Sequence, residues 1–352
     1  MFDSFKVKST IRDYEVHFIN DLVNSLRDLV IEGDFIFIDD KFSKIPGICE
    51  FINNNQNVIW IAASESTKSY EGVINFFDQL INKGFKRNNK LIAVGGGITQ
   101  DITAFIASVL YRGVDWIFFP TTLLAQADSC IGSKTSINFR DFKNQIGNFY
   151  PPLSIYICTQ TLSTLQEKDI RSGVGEMAHY FFVSGPRDVD FFEREYTKTI
   201  FDQSNIQMII NASLSIKKRF IEIDEFDRKE RIVFNYGHTF GHAIESITNY
   251  SIPHGVAVSF GMDLANFVSF KKGYIKIEDY NRAHIIFSNI WNGYSIKNIS
   301  IDLLINAMEK DKKNENGMLG LILTKGWGNM FRDLTKPDLN FINWMKEYFS
   351  FY

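Results

Sequence analysis

Of the 6 histidines in this 352-residue chain, four lie in one stretch of its second half: His179, His238, His242 and His254. In "NYGHTFGHAIE" (235–245), His238 and His242 are four residues apart. If the segment is helical, both point to one side, with Asn235 one turn earlier. Such a pair can share a metal ion, do two different jobs, or simply be packed and hydrogen-bonded. Glu176 and His179 in "GVGEMAHY" are three apart and share a face of a helix. His254 follows a proline in "IPHGVAV" and opens a helix. A carboxylate with two or three imidazoles and open positions is a common Lewis-acid or hydrolytic metal site. The clustering favours that reading over isolated packed histidines. An HExxH pattern is absent, so protease chemistry is not indicated.

Cations and amides cluster as well. "DSCIGSKTSINFRDFKNQIGNF" carries Asp128, Lys134, Arg140, Lys143 and Asn144. "IKKRFIEIDEFDRKER" carries Lys217 and Arg231, and "EKDKKNENG" carries Lys310, Lys312 and Lys313. Each run alone reads as a solvated face. Several together would suit an anionic small substrate. "VGGGITQD" follows a strand-like run and precedes a helix-like one. Glycines there let a phosphate approach backbone N–H groups, but the spacing is not GxGxxG, and a plain tight turn explains the motif equally well. Asp101 could cap the following helix or contact a cofactor or substrate.

These groups need a scaffold. In the first half, strand-like runs (34–40, 57–64, 90–97, 115–122) alternate with helix-like ones (70–84, 101–113), which predicts a parallel α/β sheet. After Pro151-Pro152 the pattern is mostly helical. The expected division is an α/β domain over 1–158 and a mainly helical domain over 159–352, with an active site in the cleft between them. Hydrophobic residues make up 45% and charged residues 22%, with a net charge of −3. That balance gives no case for nucleic acid or an anionic membrane surface. No apolar run reaches bilayer length and the start lacks a signal-peptide core. Cys49, Cys130 and Cys158 form no CxxC pair, so a reducing cytoplasm is expected.

The ordered motifs "GGGITQDITAF", "YRGVDWIFFPTTLLAQADSCIGSKTSIN", "KNQIGNFYPP", "TLQEKDIRSGVGE", "NYGHTFGHAIE", "HGVAV" and "KDKKNENG" resemble the 3-dehydroquinate synthase family of sugar-phosphate cyclases over about residues 34–325. The resemblance implies a Rossmann-like NAD-binding domain and a helical domain holding a divalent metal, zinc first and cobalt as the alternative. It implies a cytoplasmic homodimer of the shikimate pathway acting on a phosphorylated keto-acid sugar. NAD⁺ oxidises a ring hydroxyl, phosphate is eliminated, the hydride returns, and an intramolecular aldol step closes a carbocycle. It implies the metal ligands Glu176, His238 and His254. Phosphate would meet Lys134, Asn144, His242 and Lys312, with Arg112 reaching in from a second subunit. The substrate carboxylate would meet Lys217 and Arg231. Asp128 and Asn235 would contact substrate hydroxyls. NAD would meet Asp39, Glu65, Lys68, Gly95, Gly96, Gly97, Asp101, Thr121, Thr122, Lys143 and Thr164. Four positions depart from the family pattern. His179 replaces a lysine that contacts substrate hydroxyls, Gln100 a glycine near the cofactor phosphates, Ser133 a glycine, and Val256 a frequent glutamate. Two other functions are a polyol or alcohol dehydrogenase of the same superfamily and a paralogue that binds ligand without turning it over.

Overall fold

The computed structural model describes residues 4–44, 46–140, 142–310 and 314–351. Two compact units emerge. One comprises the chain up to Leu165 with Lys218–Phe226; the other comprises Gln166–Lys217 and the chain from Asp227 onward.

The first unit is an α/β layer structure. Its strands are β1 (Phe5–Val7), β2 (Tyr14–Phe18), β3 (Phe35–Asp39), β4 (Val58–Ile61), β5 (Leu91–Gly95), β6 (Trp116–Pro120), β7 (Lys134–Phe139), β8 (Phe142–Phe149) and β9 (Ser154–Ile157). Seven of them form one sheet in the order β1-β2-β9-β6-β5-β3-β4, and β7 with β8 forms a separate hairpin. All pairings in the large sheet are parallel except β1 with β2. β3, β5 and β6 are buried along their whole length. A parallel strand covered on both faces must be apolar throughout, which explains "FIFI", "LIAV" and "WIFF". The helices are α1 (Leu22–Leu29), α2 (Pro46–Asn53), α3 (Tyr70–Asn82) and α4 (Gly97–Val109). Leu22 and Leu26 of α1 join Ile36, Ile38, Ile92, Val94, Ile117 and Phe119 in one core cluster. Phe76 of α3 packs its ring 5.6 Å from that of Phe37, whose side chain alternates to the opposite face. The parallel α/β sheet expected from the sequence is therefore present.

The second unit is mainly helical: α5 (Glu167–Ser184), α6 (Pro186–Phe201), most of α7 (Ile206–Ile223), α8 (His238–Ile247), α9 (His254–Lys271), α10 (Ile277–Ile290), α11 (Ile301–Glu309) and α12 (Leu339–Phe349), with a hairpin of β10 (Leu319–Thr324) and β11 (Met330–Thr335). Helix α9 is buried on nearly all sides, and its apolar residues therefore show little one-sided periodicity. Its neighbours approach it through glycines. A Cβ on Gly255 would fall 1.8 Å from the Ser172 carbonyl oxygen of α5, and one on Gly175 would fall 2.1 Å from the Gly255 carbonyl oxygen. A Cβ on Gly261 would fall 2.0 Å from the carbonyl oxygen of Gly237, the residue that caps α8. No side chain fits at these distances. Gly255→Ala is therefore expected to force α5 and α9 apart and to cost about 1–3 kcal/mol or more, read as a lowered thermal or urea midpoint. A midpoint equal to wild type would contradict this packing argument.

Candidate functional site

In the second unit three helices each contribute one donor to a common point. His238 is the first residue of α8 and His254 the first of α9, while Glu176 lies in the middle of α5. His238 Nε2 lies 3.3 Å from Glu176 Oε1, and His254 Nε2 lies 3.2 Å from Glu176 Oε2. One donor atom from each of the three residues lies within 4.8 Å of the others. Donors bound at about 2.0–2.1 Å in a tetrahedral zinc site stand about 3.3–3.4 Å apart. The two measured edges have that length, one to each carboxylate oxygen of Glu176. Both rings present the same nitrogen to the centre. His238 Nδ1 is 3.2 Å from the Tyr236 carbonyl oxygen, to which it donates, and His254 Nδ1 is 2.9 Å from Glu245 Oε2. Burial acts to raise the Glu176 carboxyl, but the His238 and His254 rings outweigh it and hold the group well below the usual carboxylate range. Burial acts to lower His254, but Glu176 and Glu245 outweigh it and raise the ring well above its ordinary value.

Two further histidines adjoin the triangle. The His242 ring centroid is 5.4 Å from that of His238 and 5.6 Å from that of His254. His179 is buried, with its ring centroid 3.8 Å from that of Tyr180 and 5.3 Å from that of His238. Lys217 is buried too and holds its ammonium 5.8 Å from the Tyr180 ring centroid, a cation–π distance. Arg231 and Asn235 lie in a 3₁₀ turn, Glu230–Asn235. This corrects the helical projection for Asn235. The chain turns at Gly237, which has a φ of +79°, and α8 starts only at His238. Asn235 therefore lies outside the helix face that carries His238 and His242, and its side-chain amide donates to the Ile232 carbonyl. Lys312 falls outside the described residues.

The first unit gathers its predicted residues at the carboxyl edge of the sheet. Asp39, Gly95 and Pro120 end neighbouring parallel strands, where such sheets bind ligands. Gly96 caps α4 without a side-chain hydrogen bond, so the helix N-terminus offers backbone N–H groups. A Cβ on Gly96 would fall 2.9 Å from Thr122 Cγ2, and Thr121 N donates to the Gly95 carbonyl at 2.9 Å. Gly95, Gly96, Gly97, Thr121 and Thr122 thus form one cradle. Burial raises the Asp39 carboxyl above its ordinary value. Asp101 does not cap α4. It lies one turn inside the helix and pairs with the buried Lys68 ammonium at 2.5 Å. Burial raises the Asp101 carboxyl and outweighs the Lys68 charge. Glu65 pairs with Lys143 at 2.9 Å. Lys134 and Asn144 share the β7–β8 hairpin, and Asp128 lies in a single π-turn, Ala125–Ser129. A π-turn re-aims a helical side chain and recurs at functional sites. Thr164 Oγ1 donates to the Thr161 carbonyl, and Arg112 is exposed on a turn where Tyr111, Arg112 and Gly113 all have positive φ.

Some residues that organise these sites carried no functional reading in the sequence. Asn138 is buried and links several of them: its amide donates to Glu65 Oε2 at 2.8 Å, its Oδ1 accepts from Asn144 N at 3.0 Å, and its own N donates to the Lys68 carbonyl at 2.8 Å. Glu245 anchors His254 as described. Neither residue has a spacing signal; only folding shows the partner. Gln100 turns away from the glycine cradle. Its amide donates to the Ser129 carbonyl at 2.6 Å and accepts from the Ser129 hydroxyl at 2.6 Å, which fixes the end of the π-turn after Asp128. Ser133 adopts the left-handed conformation, φ +62°, that a glycine would take there without strain.

The fold is shared with solved structures. The structure of 2-deoxy-scyllo-inosose synthase complexed with carbaglucose-6-phosphate, NAD⁺ and Co²⁺ matches with a TM-score of 0.85 at 23% identity, covering 99% of each chain. That of the 2-epi-5-epi-valiolone synthase ValA from Streptomyces hygroscopicus, with NAD⁺ and Zn²⁺ bound, matches with a TM-score of 0.84 at 21% identity, covering 96% of each. The fold is therefore that of the sugar-phosphate cyclases. Sequence narrows this further. Residues 58–172 match the family model described as 3-dehydroquinate synthase N-terminal, and residues 173–314 match the one described as 3-dehydroquinate synthase C-terminal. The 3-dehydroquinate synthase of Dictyoglomus turgidum is 37% identical over 289 residues, covering 81% of each chain. That of Streptococcus equi is 31% identical over 358 residues, covering 98% of each. The chain belongs to the 3-dehydroquinate synthase family.

The Lys68–Asp101 pair yields a stability test. Lys68→Met is expected to leave the carboxylate largely buried without its partner and to cost about 3 kcal/mol. The double change Lys68→Met/Asp101→Leu should cost less than the sum of the single changes, with a coupling of about 1–3 kcal/mol in urea titrations. Simple additivity would show that the pair contributes no mutual stabilisation.

Proposed function

We propose that this chain converts a 3-deoxy-heptulosonate 7-phosphate to 3-dehydroquinate, or to a close carbocyclic keto acid, with release of phosphate. The observation that carries the reading is the Glu176–His238–His254 triangle on α5, α8 and α9, in a chain of this family. Its donor types suit zinc, with cobalt as the alternative. The glycine cradle at the start of α4 suits a dinucleotide pyrophosphate. The cofactor residues are Asp39, Glu65, Lys68, Gly95, Gly96, Gly97, Asp101, Thr121, Thr122, Lys143 and Thr164.

When bound, NAD⁺ supplies a hydride acceptor and the divalent ion a Lewis acid at the hydroxyl to be oxidised. The chain's own residues do the rest. Lys134, Asn144 and His242, with Lys312, hold the phosphate and offset its charge as it leaves. Lys217 and Arg231 hold the substrate carboxylate, and this pair favours a keto-acid sugar over a neutral one. Asp128, Asn235 and His179 orient ring hydroxyls, so the ring opens and recloses in one geometry. The protein works in the cytoplasm as a homodimer, with Arg112 of each copy completing the phosphate site of the other. The free cysteines Cys49, Cys130 and Cys158 agree with a reducing compartment. No helix among the described residues is long and apolar enough to cross a membrane.

The test is turnover of 3-deoxy-arabino-heptulosonate 7-phosphate with added NAD⁺ and Zn²⁺. Phosphate release without net NADH is expected. NADH accumulating without phosphate would make the chain a dehydrogenase, and release seen only after His179→Lys would make it a degenerate binder. His238→Ala should lose metal and at least roughly a thousandfold in activity together. His242→Ala should keep the metal and raise KM about tenfold or more, as expected for a lost charged hydrogen bond. Full metal occupancy in His238→Ala would refute the ligand assignment. Mixing inactive Arg112→Ala with inactive His238→Ala should restore roughly a quarter of wild-type activity, since half the dimers are mixed and each has one intact site. No recovery would show that Arg112 does not act across subunits.

A further inference from the structure

Helix α8 carries a third polar residue on the side of His238 and His242. Glu245 lies seven residues after His238, two turns along the same face. It is buried, and its Oε2 lies 2.9 Å from His254 Nδ1, while the other nitrogen of that ring lies 3.2 Å from Glu176 Oε2. We infer that Glu245 is a positioning residue for the metal centre: it fixes His254 with Nε2 turned to the ion and makes that nitrogen a better donor. The inference rests on the metal reading above and extends it to a residue with no role in that reading.

His254 needs such an anchor. It opens α9, so no preceding helical turn restricts its rotamer. About a third of its side chain is open to solvent, against about a tenth for His238. His238 also opens a helix, but its Nδ1 is held by a backbone carbonyl, which no side-chain change removes. His254 has only a side chain for that purpose. A carboxylate on the distal nitrogen of a metal-binding histidine sets its tautomer and raises its basicity, and losing it typically weakens metal affinity about 10–100-fold.

His242, Glu245 and His254 also have donor atoms within 4.8 Å of one another, so direct ligation by Glu245 is the competing role. The experiment separates the two. Full-length wild type, Glu245→Gln and Glu245→Ala are stripped of metal and titrated with Zn²⁺ against a chromophoric chelator, and with Co²⁺ by visible absorption. Glu245→Ala is expected to bind Zn²⁺ about 10–100-fold more weakly. Glu245→Gln should fall between the two, because its amide oxygen still accepts the Nδ1 proton. All three should show the same Co²⁺ coordination number, and the metal-free thermal midpoint of Glu245→Gln should equal that of wild type. Zn²⁺ affinities within about threefold of one another would overturn the inference, as would loss of a Co²⁺ ligand in either variant. If Glu245→Ala does not fold, Glu245→Gln alone decides by the same criteria. Failure of the metal reading shows separately, as a wild type that binds no stoichiometric ion, and overturns both.

Discussion

Backbone-to-backbone contact between helices, permitted only by glycine, underlies the Glu176–His238–His254 triangle. Gly175 precedes Glu176, Gly237 precedes His238, and Gly255 follows His254. Each donor therefore sits next to a point where α5 or α8 approaches α9 closer than any side chain would allow. A residue beside such a contact has little leverage to drift, so the donor positions inherit the rigidity of the packed backbones. Interiors packed at crystal-like density transmit small displacements rather than absorbing them. A methyl group at one of these glycines would move one of the three side chains as well as a helix.

The first unit meets its positioning problem differently. Its anchor is the carboxyl edge of a parallel sheet, where backbone geometry is set by the ladder and loops carry the polar groups. There the cations are already paired, Lys68 with Asp101 and Lys143 with Glu65. Asn138 ties this set to the hairpin residue Asn144 through three hydrogen bonds. The side chains that would meet a dinucleotide and one that would meet a phosphate are thus parts of one connected network. Such networks fix rotamers best when every member has a partner.

Much of this was legible in the chain. Apolar strands alternating with helical periods announced the parallel sheet, and the order of the motifs announced the family. The spacing of Glu176, His179, His238 and His242 placed the first pair on one helix and the second pair on another, as observed. Local pattern failed where three-dimensional contact decides. Asn235 follows helical spacing from His238, but the left-handed Gly237 breaks the helix between them. Gln100 stands where a cofactor-facing glycine is expected, yet its amide is fully engaged with Ser129. Glu245 and Asn138 have ordinary spacings, and their roles depend on partners 9 and 73 residues away. The β10–β11 hairpin lies in a part of the chain that reads as helical, because a two-stranded ribbon against helices has no long-range periodicity.

Charge balance supplies the last step. Two largely buried carboxylates, Glu176 and Glu245, flank the imidazoles of His238 and His254. With both carboxylates ionised and both rings neutral, as metal binding requires, the four side chains carry two formal negative charges; without an ion, the raised His254 ring offsets part of that excess by holding a proton. A divalent cation at the proposed point cancels it. Such an ion would be held by the Nε2 lone pairs of His238 and His254, whose Nδ1 protons face the Tyr236 carbonyl and Glu245. Ring orientation, tautomer and net charge thus converge on one ligand class.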